Sequence, residues 1–174
     1  MSVKHQTSHI PLFTGDHAAH IASSLYGLQA EVHSLAGERD YNFHLQSTTG
    51  AAFVLKIAHA DEQKEMLALQ NEALAHLVAH DPTLLLPQVC STVTGESIAT
   101  SSAPDGTERF VRLLTYIPGR LLAETHPHTP ELLSSLGTML GRFDRGLQDF
   151  THLAAQRTLK WDVRQAEWIR DYLH

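Results

Sequence analysis

Cysteine is nearly absent from this 174-residue chain, with Cys90 standing alone. A single thiol builds no disulfide framework and no thiolate metal cage, which fits a reducing, cytoplasmic setting. Cys90 itself reads as a small buried hydrophobe. Long hydrophobic runs are missing too: no eighteen-residue apolar stretch occurs, and the start Met1-Ser2-Val3-Lys4-His5 lacks the apolar core of a signal peptide. No membrane association is expected. Excess positive charge is also lacking. Thirteen Lys and Arg face nineteen Asp and Glu for a net charge of -6, and the basic residues are scattered, which argues against a nucleic-acid surface. Histidine is abundant, at thirteen, but without metal-ligand spacing. His76 and His80 stand four apart on an expected helix and His126-Pro127-His128 forms a loop pair, yet neither has a nearby third ligand. Solvated or hydrogen-bonding histidines are the expectation. With 43% apolar residues the chain has enough to bury a core of ordinary domain size.

What is present is a strand with a charge inside it. Residues 51–58, Ala-Ala-Phe-Val-Leu-Lys-Ile-Ala, are apolar on both sides of Lys56. An unpaired buried ammonium is costly, so Lys56 needs a receiver. A carboxylate on the following helix and a phosphate of a bound ligand are the two candidates.

Around that strand the periodicity spells an α+β protein. Thr14 or Asp16 caps a first helix, with Ile21 and Leu25 on its apolar side and Gly27 as its stop. A strand over 31–35, a second through Leu45 and Ser47 and a third over 51–58, joined by the polar turn 36–43 and by Thr49-Gly50, form an antiparallel meander. From Asp61 to about His80 the spacing turns helical, with Met66, Leu69, Ala73 and Leu77 recurring and Leu67, Leu74 and Val78 widening the stripe. The neighbouring face, Glu65, Ala68, Glu72, Ala75 and Ala79, is small enough around Glu72 to approach the sheet closely. Strands over 88–93 and 108–114 follow, with 97–101 a further candidate and Pro104-Asp105-Gly106 as a hairpin turn. Thr129 and Pro130 then start a long helix to about 148, whose Gly137 and Gly141 predict a tight helix-to-helix approach. The segment 161–169 looks like the start of another helix. The expected architecture is a sheet of about five antiparallel strands with one inserted helix packed on it, followed by a helical extension.

Several motifs occur in a recognisable order: Gly37-Glu38-Arg39-Asp40-Tyr41-Asn42-Phe43, Val54-Leu55-Lys56, Asn71-Glu72, Arg112-Leu113-Leu114-Thr115-Tyr116-Ile117-Pro118-Gly119, Leu136-Gly137 with Leu140-Gly141, and Trp161-Asp162. Together they resemble the aminoglycoside phosphotransferase and choline kinase superfamily, nearest the branch of hydroxylysine kinases and of kinase-like domains joined to class III aminotransferases. The resemblance implies the small lobe of a protein-kinase-like fold over 15–117, preceded by a loose lead over 1–14. It makes 118–174 the hinge and the helical start of a large lobe.

By that resemblance Lys56 pairs the α- and β-phosphates of ATP and Glu72 holds it, with Glu65 as a rival partner. The loop carrying Gly37, Glu38, Arg39, Asp40 and Asn42 positions the nucleotide, although it has one glycine where protein kinases have three. Arg39 either meets a phosphate or pairs with Glu38 or Asp40. Val54 touches the adenine, and Thr115, Tyr116 and Ile117 form a hinge reading its edge. The catalytic aspartate, its asparagine and the ligands of Mg2+ are expected in a large lobe beyond His174, so the 174-residue chain alone is expected to be inactive. Asp162 reads as a substrate-side or interlobe residue.

The implied parent is an ATP-dependent O-kinase acting on a hydroxyl of an amino-acid-like or amino-alcohol substrate. The alternative is a non-catalytic, kinase-derived docking module attached to a partner such as an aminotransferase. A homodimer burying Trp161, Trp168 and the apolar side of the 130–148 helix is a further expectation.

Overall fold

The computed structural model describes residues 12–156 and 162–172. Expectations that rest on the lead before residue 12 and on Trp161 fall outside them. Among the described residues three α-helices and six strands run in the order α1 (Gly15–Tyr26), β1 (Ala30–Leu35), β2 (Tyr41–Ser47), β3 (Ala52–Ile57), α2 (Lys64–His80), β4 (Val89–Cys90), β5 (Ala99–Ser102), β6 (Glu108–Thr115), α3 (Pro130–Gly146). Short 3-10 turns lie at Leu122–Glu124 and Leu153–Ala155, and Val163–Tyr172 is 3-10 rather than α-helical.

The strands make one antiparallel sheet in the order β1-β2-β3-β6-β4, with β4 and β5 sharing the far edge of β6. Expectation and structure differ at that edge. The segment after Pro87 pairs over only two residues, whereas 99–102 is a strand in full. The β5–β6 hairpin closes through the Ala103–Thr107 backbone bond, with Gly106 at φ 80° as the turn requires.

Directly opposed residues share a face. One face carries Phe43, Leu45, Leu55, Ile57, Val111 and Leu113, all buried, and α1 covers it with Ala18, Ile21 and Ala22. At roughly 2 kcal/mol per fully buried large side chain, this layer is the main source of cohesion. Thr14 is the observed cap of α1: its hydroxyl accepts from the His17 N–H, and His17 Nδ1 accepts from the Thr14 N–H at 3.1 Å. Gly27, at φ 62°, ends the helix as expected.

The opposite face carries Asn42, His44, Val54, Lys56, Arg112 and Leu114. Only part of it is covered. Helix α2 lies over the Arg112 end, with Leu67 packing on Ala58 and Ile98.

Helix α3 is largely exposed and meets the rest of the molecule chiefly at its end. Arg142 Nε donates to Asp81 Oδ2 at 2.7 Å, and the same guanidinium reaches Thr83. Gly137 and Gly141, expected at a tight helix approach, face open space among the described residues. The glycine that does meet a helix is Gly146, where a Cβ would fall 2.8 Å from Leu77 Cδ2. The reason is position: Gly146, in the last turn of α3, sits beside Leu77 and His80 of α2.

Candidate functional site

The uncovered half of the sheet face holds the motif residues singled out above. β3 is flanked by β2 and β6, and the register sets Asn42, Lys56 and Arg112 in one row across three strands. Lys56 turns toward β2. Its Nζ donates to Asn42 Oδ1 at 2.7 Å and stands 3.7 Å from Asp40 Oδ2, with the lysine side chain 30% exposed. The ammonium thus has a hydrogen bond and a carboxylate, and still opens to solvent.

The loop between β1 and β2 is shaped to hold those two acceptors. Asp40 Oδ1 accepts from the His59 N–H at 3.1 Å, and Asn42 Nδ2 donates to the Asp40 carbonyl at 3.4 Å. Gly37 makes this closure sterically possible. A Cβ there would overlap the Asp40 carbonyl oxygen and the Asn42 amide nitrogen. The single glycine of the loop is therefore required by space. Arg39 takes neither of its expected turn partners: its Nη2 lies 3.2 Å from His59 Nδ1 and 3.9 Å from Asp61 Oδ2. Glu38, Arg39, Asp40, Asn42, Lys56 and Glu62 line a cavity of about 270 Å³. A roomier cleft of about 810 Å³ shares Arg39 and Glu62 with it and is also lined by residues 151–154 and Gln156.

Glu72 is elsewhere, and the expected Lys56–Glu72 pair is not formed. Its Oε2 stands 3.7 Å from His152 Nε2, and its side chain is 62% exposed. His152 Nδ1 accepts from the Ala154 N–H at 3.0 Å, which leaves Nε2 as the ring's donor. The helix residue facing the sheet is the preceding one, Asn71, which is buried with Leu67 one turn before it. One residue is about 100° around a helix, so the exposed Glu65, Glu72 and Ala75 turn away.

What Asn71 meets is Arg112, a residue that sequence reasoning placed only in the hinge motif. Arg112 is 3% exposed. Its Nη1 donates to Asn71 Oδ1 at 2.7 Å and to the Leu67 carbonyl at 3.4 Å, and its Nη2 donates to Gln70 Oε1 at 2.6 Å. Burial pulls its pKa down, opposed by the more distant Asp40 and Glu62. The cue was available: like Lys56, Arg112 is a charge inside an apolar strand.

The remaining predicted residues lie at the sheet's other end. Val54 shares the Lys56 face and is opposed by His44, whose ring meets Tyr116 edge-on at a centroid distance of 4.5 Å. Thr115 is tied to Gln88 by its N–H and by its hydroxyl, each at 2.9 Å. The Tyr116 N–H donates to the Ala52 carbonyl at 3.0 Å, so it is already committed to the sheet. Ile117 follows, half-buried. Leu35 and His44, overlooked in the sequence, stand on this same face by register.

Among the described residues no group of three or more His, Cys, Asp or Glu is arranged to hold a metal ion, and no helix is long and apolar enough to cross a membrane.

Known proteins resemble this chain in sequence and in fold. Among curated proteins, hydroxylysine kinase of Mus musculus is 26% identical over 97% of this chain and 48% of its own length. The Bos taurus protein of the same name is 29% identical over 94% of this chain and 47% of its own. The chain thus spans about half the length of the curated relatives it matches. Among solved structures, an amicoumacin kinase in complex with AMP-PNP, Ca2+ and Ami gives a TM-score of 0.71 at 18% identity, covering 86% of this chain and 45% of that one. A microcompartment-associated aminopropanol kinase gives 0.64 at 19% identity, over 83% and 44%. Those two likenesses show a shared kinase-like fold. The profile of the phosphotransferase enzyme family (APH) matches residues 31–174, most of the chain, and this chain belongs to that family.

Proposed function

We propose that this chain is the nucleotide-binding portion of an ATP-dependent kinase that phosphorylates a hydroxyl of an amino-acid-like or amino-alcohol substrate. The observation that carries the reading is Lys56: a half-buried ammonium, held by Asn42 and Asp40, on the uncovered half of the sheet face. Such a group is preorganised for an anion and costs little reorganisation when one arrives. The residues fit a nucleotide. Leu35 and Val54 supply apolar surface on the same face, and the loop that Gly37 closes presents its backbone beside Lys56. Thr115, Tyr116 and Ile117 border the adenine end, with the hinge contact falling to Ile117 because the Tyr116 N–H is engaged. Glu72 lies outside this set.

The relatives support the substrate class by name: hydroxylysine kinases in sequence and an aminopropanol kinase in fold. The amicoumacin kinase holds AMP-PNP and Ca2+, which favours ATP with a divalent cation here. When bound, Mg2+ would neutralise developing charge on the phosphates. Its ligands, with the catalytic base, belong to a second lobe that residues 118–174 begin, the first lobe being 15–117. Acidic residues near Lys56 leave the 270 Å³ cavity without net positive charge, so the cation is needed for phosphate to enter.

Calorimetric titration of ATP into the full-length protein is the test. Lys56→Ala should weaken ATP binding at least tenfold and abolish ATP-dependent phosphorylation of an amino alcohol. Wild-type binding that Lys56→Ala leaves untouched would refute the assignment. A folded protein that binds no nucleotide would favour the docking-module reading.

A further inference from the structure

The row Asn42–Lys56–Arg112 sets two cations opposite one another on one sheet face. Directly opposed residues have their Cβ atoms about 5 Å apart, a separation at which like charges repel. The structure resolves the conflict by sending them in opposite directions, Lys56 to Asn42 on β2 and Arg112 up to α2. Arg112 ends in an unusual state. It is 3% exposed, yet its three acceptors, the Asn71 and Gln70 side-chain amides and the Leu67 carbonyl, are all neutral. No carboxylate reaches it within ion-pair distance among the described residues; the pair beside it, Lys56–Asp40, spends its acid on the lysine. A guanidinium does not shed its proton to relieve this. A buried charge without a counter-ion is costly, and an opposite charge brought near it offsets that cost.

We propose that Arg112 is a positioning residue for the nucleotide's phosphates, acting through Lys56. Its fixed charge bars the Lys56 ammonium from the α2 side, which holds it at the Asn42 and Asp40 edge where the phosphates arrive, and the bound polyphosphate supplies the negative charge that Arg112 lacks. This rests on the nucleotide reading given above. It also accounts for the missing Lys56–Glu72 pair. Arg112 occupies the path between the lysine and α2, and the helix meets it with Asn71 and Gln70 because a neutral amide is cheaper to bury than a carboxylate. The link between sheet and helix is thus an arginine–amide strut from β6, leaving the β3 lysine to the ligand.

The test compares ATP with adenosine, titrated calorimetrically into the full-length protein and its Arg112→Gln, Arg112→Lys, Gln70→Ala and Lys56→Ala variants. Arg112→Gln should weaken ATP about tenfold while adenosine changes less than twofold, since only the phosphates feel the charge. Arg112→Lys restores charge without the fork and should lose only two- to fivefold for ATP. Gln70→Ala, at an exposed residue that anchors Nη2, should lose two- to threefold. Loss of ATP and adenosine in equal proportion marks Arg112 as merely structural and overturns the proposal, as does unchanged ATP affinity. If Arg112→Gln does not fold, Arg112→Lys and Gln70→Ala decide by the same comparison. Lys56→Ala separates the two levels. If it too leaves ATP binding intact, the nucleotide reading falls; if it behaves as expected and Arg112→Gln is silent, only the role of Arg112 falls.

Discussion

Tyr26→Phe should keep the fold and make it more resistant to alkali. Tyr26 is the last residue of α1, and its hydroxyl is buried with only a weak contact to the Leu113 backbone in place of a full hydrogen bond. Burial, with a smaller contribution from neighbouring Cys90, pushes its pKa up from 10.0 to about 12. The fold therefore holds the neutral phenol. In the unfolded chain the phenol ionises near 10, so the stability tied to its proton is fully present below that pH and drains away as pH rises toward 12. The rise from 10.0 to about 12 corresponds to about 2.7 kcal/mol in full, of which half has been lost by pH 11. Tyr26 is only partly buried as a residue, and screening reduces the loss at pH 11 to about 1 kcal/mol. Removing an unsatisfied hydroxyl is itself neutral to slightly favourable, by about 0–1 kcal/mol. Urea unfolding of the wild type and Tyr26→Phe at pH 7, 9, 10 and 11 checks both statements. The variant should match or exceed the wild type at pH 7, and its advantage should widen by about 1 kcal/mol by pH 11. A variant that loses more than about 1 kcal/mol at neutral pH would mean that the hydroxyl holds a bond, and parallel pH curves would mean that it ionises freely; either result refutes the reasoning.

The glycines of α3 should respond in opposite senses. Among the described residues Gly137→Ala and Gly141→Ala meet nothing within 4 Å, and each should stabilise by up to about 1 kcal/mol in thermal melts. Gly146→Ala forces Leu77 aside and should destabilise by about 1–2 kcal/mol. The tether between α3 and Asp81 should fail in acid. Hydrogen bonds from Thr83 and then Arg142 hold the Asp81 pKa below 3.8, so this contribution is present above that pH and lost as pH falls through the folded value. Hydrogen exchange should show α3 amides losing protection in acid before those of β3, and Arg142→Ala should release them at neutral pH.

Much of the fold is written in local pattern. Alternation marks β2, an apolar run marks β3, Thr14 and Thr129 mark two helix starts, and Gly27 and Pro104-Asp105-Gly106 mark a helix end and a turn. β4 and β5 are less legible there. Their length depends on how much of the β6 edge each can claim, which is a matter of pairing and not of propensity.

The site divides along the same line. Sequence alone determined that Lys56 needs a partner, because a charge in an apolar strand has to be compensated wherever the strand sits. It equally determined the family order of motifs from Gly37 to Gly119. Only the tertiary structure decided which partner Lys56 takes. That choice turns on the strand order, which puts Asn42 on one side of Lys56 and Arg112 on the other, and on the rotation of α2, which presents Asn71 to the sheet in place of Glu72. Neither the rotation of a helix over a sheet nor the neighbour of a strand is encoded in spacing along the chain. Both are set by which buried charge finds which acceptor once the layers pack.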